Sequence, residues 1–452
     1  MSVKSKRACL VVLQMFLFPL AASAQPVSAA TPPAESAVPV APGVPPVPPA
    51  PPVAQPPAPP APLVPSPAPP RAPTIELPTE PGMQPATGLP RETPIENPLG
   101  RAPAIEGSAF GGYGEMTLNK LEGTPAVVDL RRVVLYFGHN FSERLRFYSE
   151  VEVEHAIASA GDQGEVAIEQ AYLDGLFSRK FNLRGGLILM PVGIVNIYHE
   201  PPTFNGVDRP LVDLLVIPST WREAGVGIFG EITDGLRYQV YLVNGFNANG
   251  FTAESAVEHG HQEAQLARAG DFGGVARLDF EPRLGTNIGL SAYHATSGNT
   301  LRDTVGKVPV SLFEIDARTR LGGFTARAQF AALFIGDAAA LNTALVAAGN
   351  MDGPVSAQAR GGYVEVGYDL LRAFCPGVTQ TLTLFGRYDY VDTQASVPEG
   401  FMARAEFRRH SLTPGLVFRP IPHIALKLDY RRHFFGVGDA RNEVATAITW
   451  MF

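Results

Sequence analysis

The stretch Val310–Leu321, VSLFEIDARTRL, alternates between apolar and charged side chains with a period of two residues. The apolar positions are Phe313, Ile315, Ala317 and Leu321, and the charged positions are Glu314, Asp316, Arg318 and Arg320. Successive side chains of a β-strand point to opposite faces, so the pattern predicts a strand with one apolar and one charged face. The same alternation recurs in Arg144–Glu154, Phe324–Phe334 and Ile424–Phe434.

The charged faces of these strands carry both signs of charge, whereas the apolar faces carry almost none. In an outer-membrane barrel the apolar face meets lipid and the charged face meets a water-filled lumen. Turn signals divide residues 101–452 into about 16 such strands, with short and long links in alternation. The sequence therefore predicts an all-β fold, a transmembrane antiparallel β-barrel, integral to a bacterial outer membrane.

Two segments of a different composition precede the barrel. Residues 1–24 have a basic start, an apolar run and Ala22-Ser23-Ala24, which are the three regions of a cleaved secretory signal peptide. Most of the 43 prolines lie within residues 25–100, where fixed φ angles and missing N–H groups favour a disordered, polyproline-like periplasmic segment. Such a segment can be a linker, a tether to the cell wall or a ligand for a periplasmic partner.

The segment Met190–Glu223 interrupts the strand pattern. It is long, it contains five prolines between Pro191 and Pro218, and it mixes charged and apolar residues. Long irregular segments inside a regular fold are usually functional or disordered. We predict a loop, residues 191–220, that folds into the lumen and forms its constriction, with Leu211–Ile217 against the inner wall and Asp208, Arg209 and Asp213 facing the pore. The candidate constriction residues are Glu200, Asp208, Arg209, Asp213 and Arg222.

Basic residues on the charged faces are the candidate lining of the pore, because rings of charged side chains set ion preference in narrow channels. These residues are Arg146, Arg184, Arg277, Arg318, Arg320, Arg327, Arg387, Lys427 and Arg431. The alternative is that they pair with neighbouring acids and only solvate and stiffen the wall.

The sequence contains little that indicates chemistry. His199-Glu200 has no second ligand at helical spacing, so it predicts neither a metal site nor a catalytic one. No cofactor motif is present, and the net charge of −7 argues against nucleic acid as a partner. An outer-membrane hydrolase is the enzymatic alternative, but no nucleophile motif supports it.

Several segments resemble the outer-membrane porins grouped with the phosphate-selective porins O and P. They are FYSEVEVEHA (147–156), IEQAYLDG (168–175), NLRGGLILMPVGIVNIYHEPPTFNGVDRP (182–210), TWREAGVGIFG (220–230) and YLVNGF (241–246). The ending AITWMF, with Trp450 and Phe452, resembles the signal read by the barrel-assembly machinery. The resemblance implies a barrel of sixteen strands, a homotrimer, and a loop folded into each pore.

These observations predict a porin through which small hydrophilic solutes or ions diffuse passively. In the family that these segments resemble, phosphate selectivity depends on arginines and lysines in the constriction. The segment Met190–Glu223 contains no lysine. The identity of the solute, including phosphate, therefore stays open. The second hypothesis is a structural protein that tethers the outer membrane to the cell wall through residues 25–100.

Overall fold

The computed structural model describes residues 107–159, 161–349, 353–375 and 377–452. The predicted signal peptide and proline-rich segment lie outside these residues. Sixteen antiparallel strands form a closed barrel in which each strand pairs with its neighbours in the sequence and the last strand pairs with the first. The fold class predicted from the sequence is confirmed.

The strands are β1 Gly107–Leu121, β2 Val127–Ser142, β3 Leu145–Glu154, β4 Val166–Leu176, β5 Asn182–Leu189, β6 Arg222–Thr233, β7 Leu236–Asn244, β8 Phe272–Arg283, β9 Thr286–Thr296, β10 Pro309–Leu321, β11 Phe324–Ile335, β12 Gln358–Asp369, β13 Thr381–Ser396, β14 Arg408–Ile421, β15 Ile424–Phe435 and β16 Arg441–Met451. The four alternating segments named above coincide with β3, β10, β11 and β15 to within one residue at each end.

The two faces of β10 show which side of the barrel meets which environment. Phe313 and Ile315 are 56% and 50% exposed, whereas Glu314 and Asp316 are 4% and 2% exposed. The apolar side chains therefore form the outer surface, and the charged side chains point into the barrel. Such an arrangement is the reverse of a soluble protein and fits a barrel surrounded by lipid.

Short turns and long loops occupy opposite ends of the barrel. Two-residue links join β2 to β3, β6 to β7, β8 to β9, β10 to β11 and β14 to β15, and all lie at one end. The long segments between β5 and β6, β7 and β8, and β11 and β12 begin at the other end. The links contain helices α1 Ile194–Ile197, α2 Leu211–Leu215, α3 Arg302–Val305, α4 Ala338–Ala347 and α5 Leu370–Phe374, and 3-10 turns at Pro201–Thr203, Ala248–Gly250, Glu258–Gly260, Asn299–Leu301 and Ala405–Phe407.

The described helices are all short. None of them is long and apolar enough to cross a membrane.

Part of the barrel interior is apolar, which the alternation alone does not predict. Val310, Leu312 and Leu333 point inward near the long-loop end of β10 and β11. They belong to one buried cluster with residues of the long loops, including Phe246, Phe251, Val257, Leu341 and Val355. The loops therefore fold into this side of the lumen, and the apolar contacts replace water there.

Candidate channel constriction

The segment between β5 and β6, residues 190–221, is named loop L3 below. Its two ends are joined by Asn196, whose side-chain amide donates to the carbonyl oxygens of Met190 (2.7 Å) and Trp221 (3.0 Å). The side-chain amide oxygen of Asn196 accepts from the backbone N–H of Trp221 at 2.6 Å. The Asn196 side chain is fully buried, so the base of L3 is closed by hydrogen bonds that water does not reach.

The apolar half of L3 packs on the inner wall of the barrel. Val212, Val216 and Ile217 are buried in the same cluster as wall residues of β10–β13. Gln329 of β11 holds this half in place: its amide oxygen accepts from the Ile194 N–H at 2.8 Å, and its amide nitrogen donates to Asp213 at 2.9 Å.

Asp213 does not face open space as the sequence suggested. Its side chain is fully buried between α2 and the wall, because α2 turns it toward Gln329 rather than toward the lumen. Burial raises the pKa of Asp213 to about 7, although the Gln329 hydrogen bond and the charges of Arg209 and Arg387 favour its ionised form.

The polar half of L3 lies against strands nearer the seam between β16 and β1. Lys427 of β15 donates to the carbonyl oxygens of Pro201 (2.7 Å) and Gly206 (2.8 Å), and its ammonium lies 4.0 Å from the centre of the Phe204 ring. The N–H of Val207 donates to Asp429 at 2.7 Å. L3 leaves the wall at the end of β5 and returns to it at the start of β6. Its contacts with β11–β13 and with β15 therefore take it across the lumen from its base.

Asp208 forms the polar contact of L3 with two basic residues of the wall. Its two carboxylate oxygens accept from Arg131 of β2 and from Arg431 of β15. Burial opposes ionisation of Asp208, but the two guanidinium groups outweigh it and hold its pKa well below the usual range. This carboxylate stays charged throughout the physiological pH range and links L3 to both strands.

Arg131 and Arg132 are site residues that the alternation rule missed, because consecutive residues of a regular strand cannot share a face. Two residues of β2, Leu130 and Arg131, lie opposite Met116 of β1 where the register shifts. Such a bulge re-aims a side chain. Both guanidinium groups consequently reach the lumen, Arg131 to Asp208 and Arg132 to a group of carboxylates on β1 and β3.

The basic residues predicted to line the pore lie on the inward faces of the strands. Most of them contact an acidic residue of the wall or a residue of L3. Some pair with acids of the wall: Arg184 with Asp174 (2.8 Å), Arg277 with Asp279 (2.9 Å) and Asp316 (2.8 Å), Arg387 with Asp389 (2.9 Å), and Arg431 with Asp429 (2.9 Å). Others contact L3: Arg327 donates to the Thr203 carbonyl at 2.6 Å, Arg318 lies 4.1 Å from the centre of the Tyr198 ring, and Lys427 binds as described. Arg146 lies on the inward face of β3, and Arg320 is exposed at the short-turn end of β10.

A polar cavity of about 270 Å³ lies beside L3. It is lined by Arg132, Arg209 and Arg222 and by the acids Glu152, Glu154, Glu165, Glu258 and Glu263. Of the predicted constriction residues, Arg209 lines this cavity and donates to Thr220 at 3.0 Å, and Arg222 pairs with Glu263 at 3.2 Å. Glu200, also a residue of L3, is buried and does not line this cavity. The accessible part of the site thus carries both signs of charge.

Solved structures with the same architecture are outer-membrane porins and channels. The barrel is similar to OmpF of Salmonella typhi in its complex with daunomycin. The two sequences are 11% identical, the match covers 77% of this chain and 98% of that chain, and the TM-score is 0.53. It is also similar to the anion-selective porin of Comamonas acidovorans (11% identity, 77% and 100% covered, TM-score 0.50) and to the channel DcaP of Acinetobacter baumannii (13%, 78% and 99%, TM-score 0.50). The fold is that of a porin.

The sequence comparison places the chain in a family. It belongs to the same family as an uncharacterized protein of Aquifex aeolicus (strain VF5), to which it is 37% identical over 355 residues, covering 77% of this chain and 80% of the relative. No protein-family model matches the chain. Membership of the phosphate-selective O and P group therefore stays a prediction.

Proposed function

We propose that the protein is a passive diffusion channel of the outer membrane and that L3 sets the width of its pore. The observation that carries this proposal is the course of L3 across the lumen, from its base between β5 and β6 to Gln329 on β11 and to Asp208 between Arg131 and Arg431. A loop held in this way narrows the water-filled path through the barrel. Outer-membrane lipid is the surrounding partner, because the outer face is apolar.

The charge arrangement supports small hydrophilic solutes as the substrates. Arg132, Arg209 and Arg222 share the polar cavity with five glutamates, so both signs of charge are present and the acids are in the majority. Charged side chains that line a narrow channel set its ion preference, so this mixed lining with a small excess of acids gives at most a weak preference for cations. We propose weak ion selectivity, with phosphate among the permeant anions but without a site specific for it.

Planar-bilayer recording on the purified protein tests the channel. We expect discrete ion-conducting steps, with reversal potentials in a KCl gradient close to zero. A strongly anion-selective reversal potential, together with saturable block of the chloride current by phosphate, would contradict weak selectivity. It would indicate a binding site for phosphate in the pore. Absence of conducting steps from correctly folded protein would remove the channel proposal altogether.

Shortening L3 tests its role separately. Removal of residues from the polar half of L3 is expected to raise the single-channel conductance, because the lumen is wider where the loop is absent. The matched control shortens the exposed loop between β13 and β14 at residues 399–402 and should leave the conductance unchanged. Equal conductance in the two variants would contradict a constriction at L3.

Three further features belong to the same proposal. Homotrimer formation is implied by the porin resemblance and is measurable as the mass of the detergent-solubilised complex. Trp450 and Phe452 lie toward the outer face of the closing strand, where the barrel-assembly machinery would read them.

Cell-wall tethering through residues 25–100 is compatible with a channel, and a co-sedimentation assay with peptidoglycan tests it.

A further inference from the structure

Three buried ionisable side chains meet where L3 touches β3 and β4. They are His199 of L3, Glu150 of β3 and Glu169 of β4, which are 2%, 0% and 0% exposed. The His199 Nε2 atom lies 3.6 Å from Glu150 Oε2 and 3.5 Å from Glu169 Oε2. One donor atom from each residue falls within 4.8 Å of the other two. Glu200, the neighbour that the sequence pairs with His199, is not a member of this group.

The distances in the group are too long for ordinary hydrogen bonds. Hydrogen bonds from N–H to oxygen measure about 2.7–3.2 Å, and neither ring nitrogen of His199 makes one with the described residues. Ligand atoms about 2.0–2.2 Å from a tetrahedral zinc ion lie about 3.3–3.6 Å from one another. The two distances from His199, 3.5 and 3.6 Å, therefore match two edges of a coordination tetrahedron.

The charge of the group also requires a cation. Two carboxylates are fully buried, and within the described residues no lysine or arginine lies within ion-pair distance of either one. Burying uncompensated charges is strongly unfavourable. A divalent cation with a neutral imidazole would cancel the two negative charges completely.

Neighbouring side chains hold the carboxylates in position. The Tyr113 hydroxyl donates to Glu169 Oε2 at 3.0 Å, the Gln170 amide donates to Glu150 Oε2 at 2.9 Å, and the Tyr148 hydroxyl donates to Glu150 Oε1. Glu169 Oε1 is buried and makes no hydrogen bond with the described part of the chain. Supporting hydrogen bonds of this kind orient the ligands of metal sites, and the second oxygen of Glu169 is available as a further ligand atom.

We propose that Glu150, Glu169 and His199 bind one divalent transition metal ion of the zinc class and that this ion fastens L3 to β3 and β4. Imidazole nitrogen combined with carboxylate oxygen suits Zn²⁺ better than Mg²⁺ or Ca²⁺, which prefer all-oxygen sites. Binding does not depend on the proposed channel function, since the site needs only the folded barrel and L3.

A proton is the competing cation. An imidazolium would leave one negative charge uncompensated, whereas a divalent ion leaves none. Metal binding must therefore displace this proton, and affinity should rise with pH.

Metal titration of the full chain in detergent tests the proposal. After treatment with a chelator, the protein should bind one equivalent of Zn²⁺ by calorimetry and should give the visible absorption of tetrahedral Co²⁺. His199→Gln and Glu169→Gln should each weaken binding by more than the roughly 10–100-fold that follows loss of an outer-shell partner. His433→Gln is the matched control, because His433 makes an ordinary 3.1 Å contact with Glu443 elsewhere in the barrel. Heat-modifiable mobility on gels verifies the folding of every variant.

Absence of Zn²⁺ binding by the wild-type protein, or unchanged affinity in His199→Gln and Glu169→Gln, would overturn the proposal. X-ray absorption of the Zn²⁺-loaded wild-type protein gives a second test that needs no variant. We expect one imidazole and otherwise oxygen ligands, and a shell without imidazole would overturn it equally. Because none of these measurements uses ion conduction, failure of the metal site and failure of the channel are distinguishable.

Discussion

At the scale of single residues, Asp208 and Asp213 show how one loop uses the same side chain in opposite ways. Asp208 lies between two guanidinium groups, so its charge is stabilised in the lumen. Asp213 lies five residues later against the wall, and one of its oxygens makes no hydrogen bond with the described residues. The first carboxylate anchors L3 as an anion, whereas the second is buried most favourably when protonated.

Asp208→Asn should loosen the polar half of L3. The amide keeps the shape of the side chain but removes the charge that holds Arg131 and Arg431, at an expected loss of about 2 kcal/mol in the free energy of unfolding. We expect larger current fluctuations in single-channel recordings. Asp234→Asn is the matched control, since Asp234 lies at an exposed turn and is 88% exposed. A quiet channel with wild-type conductance would show that Asp208 does not hold the loop.

Asp213 predicts a pH dependence of stability with a definite sign. Its folded-state pKa of about 7 lies above the ordinary value of 3.8, so the folded state binds the proton more tightly. The free energy of unfolding should therefore fall as the pH rises from about 4 through about 7, by at most on the order of 4 kcal/mol. In Asp213→Asn, the free energy of unfolding should no longer contain this dependence on pH. Urea unfolding across that pH range measures it, and an identical slope in both proteins would contradict the prediction.

At the scale of secondary-structure elements, closure of the barrel depends on the seam between β1 and β16. The backbone of Gly112 pairs with that of Phe452 through hydrogen bonds of 3.0 and 2.9 Å. The ring of Trp450 lies over Gly114, where a Cβ atom would be 2.5 Å from it. The last strand therefore needs glycine on its partner strand, because a side chain there would occupy the space of the indole ring.

Gly114→Val should impair this seam. The branched side chain would displace Trp450 and also meet the Arg132 carbonyl at 2.9 Å. We expect a reduced yield of heat-modifiable, folded barrel in the outer membrane. Gly274→Val is a useful control, because a Cβ atom at Gly274 has only one neighbour within 4 Å, at 4.0 Å. Equal yields of the two variants would mean that the seam tolerates the extra volume.

At the scale of the whole molecule, the strands and loops of the barrel supply the residues that form the proposed constriction. L3 and the apolar loop cluster both lie within residues 107–452. The contacts described above that hold L3 against the wall come from strands of the barrel, and those that close its base come from L3 itself. The proline-rich segment therefore has no assigned part in forming the constriction.

Deletion of residues 26–98 should leave the single-channel conductance unchanged while removing any attachment to the cell wall. Residues 1–25 are retained in this variant, because the sequence predicts a signal peptide there. Bilayer recording and peptidoglycan co-sedimentation, performed on the same preparation, measure the two properties. A changed conductance would show that the segment reaches the pore.

The sequence alone determined the strands, their number, their two faces and the position of the long loop. These are local properties: a period of two residues assigns each side chain of a strand to a face, whatever the rest of the chain does. Prolines and irregular composition likewise mark L3 without reference to any distant residue. The fold was therefore predictable from segments such as Val310–Leu321.

The tertiary structure alone decided which partner each charged side chain meets. Arg131 joins Arg132 in the lumen only because β2 contains a bulge, and Asp213 is buried only because α2 packs against β11–β13. His199 meets Glu150 and Glu169 rather than its neighbour Glu200 because L3 folds back onto β3 and β4. Such contacts join residues far apart in the chain, so their geometry depends on the path of the loop, which no local pattern encodes.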